Sequence, residues 1–102
     1  GLRAQWRLVE TGGGLRAPGE SVRLCCRGSG FVFRDYGIRW YRQAPGGVIE
    51  LVSIISFDPT MKYFEPSVQG RAEVSRDNPR SESYLTLRAL QPRDSARYLC
   101  AV

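Results

Sequence analysis

The sequence predicts an all-β domain, a sandwich or barrel built from antiparallel strands. Three observations carry this expectation. Turn-forming residues recur about every ten positions: Gly12-Gly13-Gly14, Pro18-Gly19, Gly28-Ser29-Gly30, Pro45-Gly46-Gly47, Asp58-Pro59, Pro66, Asn78-Pro79 and Pro92. Between them apolar and polar residues alternate with period two, the signature of strands with one buried face. Cys26, Trp40 and Cys100, with Tyr98 two residues before the last cysteine, suit a bridge that pins one sheet to another.

Residues 1–4, Gly1-Leu2-Arg3-Ala4, precede the first strand-like segment and are read either as the remnant of a secretory leader or as a disordered N-terminus. The glycine triplet that follows is read as a strand bulge or bend. A phosphate-cradling loop would need a helix and a Lys-Ser/Thr after it, whereas Leu15-Arg16-Ala17-Pro18-Gly19 follows here. In the next segment Val22, Leu24 and Cys26 share one face and Ser21, Arg23 and Cys25 the other. Residues 48–55 are nearly continuously apolar, as expected where both faces are covered. Further on, Ser83, Leu85 and Leu87 oppose Tyr84, Thr86 and Arg88. The stretch 90–96 is the one helix candidate, and Pro92 reduces it to a one-turn connection.

Parity turns Cys26 inward on an early strand and Cys100 inward on a late one, where a disulfide can form, Trp40 can pack on it and the Tyr98 hydroxyl can return to the backbone at the preceding corner. Closing a loop of that length stabilises a fold by roughly 4 kcal/mol on the chain-entropy model, and implies an oxidising compartment. The alternative is three free thiols in a reducing one. Composition narrows the function. With 102 residues there is room for one domain, and no apolar run approaches bilayer length. The +5 charge comes from fourteen arginines and Lys62, but these are scattered among acids, without the aromatic-basic pattern of a nucleic-acid module. Histidine is absent, the three cysteines lack zinc-site spacing and the carboxylates are dispersed. No enzyme activity, cofactor, metal site, nucleic-acid partner or direct membrane contact is expected.

The segments "LVETGGGL", "SGFVFRDYGIRWYRQAPG", "SVQGRAEVSRDN" and "LRALQPRDSARYLC" occur in an order that resembles the framework of an immunoglobulin heavy-chain variable domain, over residues 5–102. The resemblance implies a V-set Greek-key sandwich of two antiparallel sheets that recognises antigen, secreted or on the extracellular side of the plasma membrane, alongside a second variable-domain chain. It also implies that "CAV" ends a germline segment, with the third hypervariable loop and the last edge strand not encoded here. A T-cell-receptor variable domain, which "WYRQAPG" and "YLCAV" suit, and an invariant V-set adhesion or inhibitory receptor are the alternatives.

By the same resemblance the first hypervariable loop falls on residues 31–39 and the second on 54–63. The tips are Arg34, Asp35, Tyr36 and Gly37, then Phe57, Asp58, Pro59, Thr60 and Lys62, a mix of rigid aromatic area and directional polar groups. Arg71 and Asp94 are expected to form a structural ion pair beneath the lower loops. The face on which two variable domains meet falls on Arg39, Tyr41, Gln43, Ile49, Leu51 and Leu99. Several positions depart from the family pattern. Cys25 replaces a small polar residue, and Ala72 and Ser83 replace larger apolar ones, which implies a less filled core. Tyr41, Val48 and Leu51 stand in place of valine, glycine and tryptophan on the pairing face, and Val102 replaces an arginine. With Arg39 adding a charge, these changes imply a partner other than a conventional light chain.

Overall fold

The computed structural model describes residues 5–102, so the expectation for residues 1–4 lies outside the described residues. Eight strands form: β1 (Arg7–Gly12), β2 (Val22–Ser29), β3 (Ile38–Gln43), β4 (Ile49–Ile55), β5 (Lys62–Phe64), β6 (Ala72–Asp77), β7 (Glu82–Leu87) and β8 (Arg97–Ala101). They make two antiparallel four-stranded sheets in the orders β1-β2-β7-β6 and β5-β4-β3-β8. The chain passes from one sheet to the other after β2, β5 and β7, as a Greek key does. Three single-turn 3-10 segments, Phe33–Asp35, Asn78–Arg80 and Pro92–Asp94, complete the described elements. The last is the one-turn connection expected after Pro92. The first is set by local backbone bonds, Asp35 N–H to the Val32 carbonyl and Tyr36 N–H to that of Phe33, which leave no mark in apolar periodicity.

The inward residues of both sheets make one core: Leu24, Cys26, Val74, Leu85 and Leu87 from the first, Ile38, Trp40, Val52, Ile55 and Cys100 from the second. Cys26 and Cys100 are bonded across a sequence separation of 74, and Cys25 is free on the opposite face of β2. Trp40 lies directly across from Cys100 in the β3–β8 ladder and is fully buried. Its indole N–H donates to Ser83 Oγ at 3.3 Å, and the Ser83 hydroxyl donates to the Ser75 carbonyl at 2.9 Å. Ser83 therefore supplies the acceptor that a buried indole needs, which a larger apolar side chain would not.

The apolar run at residues 48–55 is not covered on both faces. A bulge between Trp40 and Tyr41 pairs them with Ser53 and Leu51, so that Val52 and Ser53 both point into the core. Beyond it, Ile49 is 55% exposed and Val48 84% exposed. The glycine triplet ends β1. Gly12 has φ +94°, and a Cβ there would stand 2.7 Å from the Arg23 carbonyl oxygen, so glycine is required both by conformation and by space. The triplet then borders a groove of about 530 Å³, lined by Glu10, Gly13, Leu24, Trp40, Leu87 and Tyr98, beside the edge of β8 that no described strand pairs. Glu10 reaches across and accepts the Cys100 backbone N–H at 2.9 Å.

Candidate recognition site

At one end of the sandwich two loops meet. In the first, Phe33 is buried at the foot of its 3-10 turn, and the adjacent Arg34, Asp35 and Tyr36 face solvent. Gly28 in β2 makes room for this packing, because a Cβ there would stand 2.8 Å from the rings of both Phe31 and Phe33. In the second, Ser56 N–H bonds the Met61 carbonyl, closing a hairpin whose tip is an Asx turn. Asp58 Oδ1 accepts from the Thr60 N–H at 3.1 Å and from its hydroxyl at 2.9 Å, and these bonds hold the Asp58 carboxyl below its ordinary range. Phe57 and Met61 remain largely exposed. Gly37 touches the second loop, a Cβ there lying 3.3 Å from the Ile55 carbonyl oxygen.

The segments are shorter than the resemblance implies. Ile38 and Arg39 are already in β3, Ile54 and Ile55 are in β4, and Lys62 and Tyr63 are in β5, where Lys62 pairs with Ile55 and Tyr63 with Ile54. Lys62 is thus an exposed strand residue at the base of the hairpin rather than at its tip, because ladder bonding continues up to it.

Arg76, from the other sheet, ties the loops together. Its Nη2 donates to the Phe33 carbonyl at 2.9 Å, its Nη1 to the Ser56 carbonyl at 2.8 Å and its Nε to Asn78 Oδ1 at 2.7 Å, while the guanidinium lies 4.9 Å from the centre of the Phe33 ring. Burial pushes the Arg76 guanidinium below its ordinary range. Parity alone would have turned Arg76 inward with Ala72 and Val74, and a basic residue at an inward position is the signal that marks it. An N-terminal aromatic joins the same surface: Trp6 stacks on Phe31 at 4.9 Å and meets Tyr36 edge-on at 5.2 Å, itself 57% exposed.

The opposite end is structural. Arg71 donates from Nη1 to Asp94 Oδ2 at 2.9 Å and from Nη2 to Oδ1 at 3.0 Å. Arg42, only 3% exposed, donates from Nη1 to Asp94 Oδ1 at 2.9 Å and from Nε to Glu50 Oε1 at 2.6 Å. The Tyr98 hydroxyl donates to the Asp94 backbone carbonyl at 2.7 Å, a tyrosine corner. Burial pushes the Asp94 carboxyl up, but hydrogen bonds from Arg71, the Gln91 N–H and Arg42 outweigh it and hold the group at about 2. Desolvation works against the charge on Arg42 too, yet its bonds to Glu50, Tyr98 and Asp94 raise it above the ordinary arginine range. Arg42 follows Ile38 and Trp40 at inward parity, again the mark of a charge with a buried role.

The outer face of the second sheet assembles the residues assigned to domain pairing. Ladder register aligns Tyr63, Ile54, Arg39 and Ala101 in one row, Leu51, Tyr41 and Leu99 in the next, and Ile49, Gln43 and Arg97 in a third. Ile54, Tyr63, Arg97 and Ala101 are additions that only the register reveals. Gln43 Nε2 is turned to the Gly47 carbonyl at 2.9 Å. Among the described residues, no three His, Cys, Asp or Glu side chains come together as a metal site would need.

Two antiparallel sheets in these strand orders, with an inter-sheet disulfide, a tryptophan beside it and a tyrosine corner, define a variable-type immunoglobulin sandwich. The family model of the immunoglobulin V-set domain matches residues 15–102, and the chain belongs to that family. It is an immune-receptor or adhesion-type variable domain, of a family whose members are binding modules that commonly engage other proteins or a second variable domain and are typically extracellular or secreted.

Proposed function

We propose that this domain recognises antigen as the variable segment of an antibody heavy chain, secreted or on the outer side of the plasma membrane, next to a second variable-domain chain. The contact surface is formed by Arg34, Asp35, Tyr36 and Gly37 of the first loop, by Phe57, Asp58, Pro59 and Thr60 of the second, and by Lys62 at the base of its hairpin. The observation that carries this reading is the double grip of Arg76 on the carbonyls of Phe33 and Ser56. Two loops held by one half-buried guanidinium form a single preorganised surface, which lowers the ordering cost of binding. On it, exposed Tyr36 and Phe57 supply rigid apolar area, and Arg34 and Asp35 supply hydrogen-bonding groups. The ordered framework motifs support the heavy-chain assignment. A T-cell-receptor variable domain is the second reading, favoured by Tyr41 in "WYRQAPG" and by "YLCAV".

Germline DNA and transcripts carrying this segment test both. A recombination signal in the germline and diverse junctions after Cys100 in the transcripts are expected, joined to an antibody constant region on the first reading and to a receptor constant region on the second. One invariant open frame across all transcripts would overturn both in favour of an adhesion or inhibitory receptor.

A further inference from the structure

The outer face of the β5-β4-β3-β8 sheet is apolar at its centre and positively charged at its flanks. Leu51, Tyr41 and Leu99 form the middle row and cover one another, so each is half-buried. Tyr63 and Ile54 extend the apolar surface on one side. On the other, Ile49 and Val48 extend it to the β3–β4 turn, more than half exposed. A strip of this kind, three strands wide, is the sort of surface that monomeric proteins cover.

Arg39 and Arg97 flank the strip from the rows on either side of it. Both are exposed, and among the described residues neither forms an ion pair or a side-chain hydrogen bond. The neighbouring carboxylates are committed elsewhere: Glu50 to Arg42 at 2.6 Å, and Glu65 to the Tyr63 hydroxyl at 3.4 Å. The bond of Glu65 is to a neutral hydroxyl, so it keeps its charge, but neither carboxylate pairs with Arg39 or Arg97, and the face offers two unpaired guanidinium groups.

We propose that this face docks a variable-type domain of a different chain, whose facing sheet presents an apolar strip flanked by carboxylates that pair with Arg39 and Arg97. The proposal rests on the paired-domain reading and specifies the partner's chemistry. Self-pairing is disfavoured by symmetry. A two-fold interface opposes the same patch to itself, bringing four guanidinium groups to one interface, of which the two copies of Glu65 can neutralise at most two. Desolvating cations without partners is costly, whereas carboxylates at matched positions convert the same groups into charge-assisted, bidentate bonds. Opposite-sign faces also speed encounter and exclude like-charged partners.

The chain itself can provide a probe of the stated chemistry. Arg39→Glu combined with Arg97→Glu leaves the apolar strip intact and reverses its flanking charges; Arg39→Asp alone is a milder second variant, and circular dichroism checks that each is folded. Sedimentation velocity then compares wild type, each variant, and equimolar mixtures. The expected result is a mixed dimer about tenfold tighter than either self-dimer, weakened about tenfold again in ~0.5 M NaCl, where the Debye length falls to roughly 4 Å, and lost when wild type carries Leu51→Arg. If wild type alone dimerises as tightly as the mixture, and Leu51→Arg abolishes that dimer, the carboxylate-bearing partner is overturned while domain pairing through this face stands. If no combination associates through the face, the pairing reading falls with the proposal.

Discussion

Replacing Asp94 with asparagine separates the two contributions of this carboxylate, its bonding role and its charge. Asp94 is 5% exposed and accepts from two arginines, one of which, Arg42, is at least as buried. Asparagine keeps the shape but turns an N–H₂ toward guanidinium donors, and it leaves Arg42 with Glu50 as its one remaining anion. Breaking a buried pair by removing one partner costs about 3–5 kcal/mol, and a loss near the lower end is expected at neutral pH because Glu50 remains. The charge contributes separately. Lowering the carboxyl from 3.8 to about 2 corresponds to about 2 kcal/mol of stability. Because the folded value lies below the unfolded one, that stability is fully present above about pH 4 and is lost as pH falls toward 2. By about pH 3 roughly 1 kcal/mol of it is gone. Urea unfolding of wild type and Asp94→Asn, followed by tryptophan fluorescence at about pH 6 and about pH 3, should show a gap that narrows by roughly 1 kcal/mol in acid. A gap that stays constant or widens would refute the charge assignment, and a neutral-pH loss under about 1 kcal/mol would refute the buried-pair account.

Removing the disulfide by Cys26→Ala and Cys100→Ala should cost about 4 kcal/mol in urea unfolding, and non-reducing peptide mapping should find Cys26 linked to Cys100 with Cys25 alkylatable. Burial and the hydrogen bond to Glu82 raise the Cys25 thiol, so Glu82→Gln should speed its alkylation near pH 8; an unchanged rate would contradict the 2.9 Å contact. Arg76→Ala should cost about 2 kcal/mol and raise amide exchange in both loops at residues 31–36 and 56–61, whereas exchange confined to one loop would mean that they are not coupled. Appending an alternating segment of about ten residues after Val102, able to pair with the free edge of β8 and fill the groove beside Glu10, should raise the Tm by about 5 °C or more and reduce self-association; equal melting of both forms would show that the edge is not a weak point.

The strands and their inward faces are legible from local chemistry. Turn residues punctuate the chain at Gly12, Gly30, Pro45 and Pro79, and alternation assigns Val22, Leu24 and Cys26 to one side and Cys25 to the other, because successive side chains on a strand must point apart. The same parity, with the family resemblance, was enough for the Cys26–Cys100 bond, the place of Trp40 and the Arg71–Asp94 pair. What the linear pattern leaves undecided depends on which chain segments come to lie side by side. The bulge that turns both Val52 and Ser53 inward and leaves Ile49 and Val48 in solvent is a property of the β3–β4 register, so a continuous apolar run cannot reveal it. Arg42 and Arg76 sit among fourteen arginines that look alike in one dimension. Their partners, Asp94 at one end and the carbonyls of Phe33 and Ser56 at the other, are 20 or more residues away, and only the packing of one sheet on the other brings them within hydrogen-bonding distance. Side-chain direction is set locally, residue by residue; register and the covering of faces are set by the whole assembly of strands, and the candidate recognition surface is made by the second kind of information.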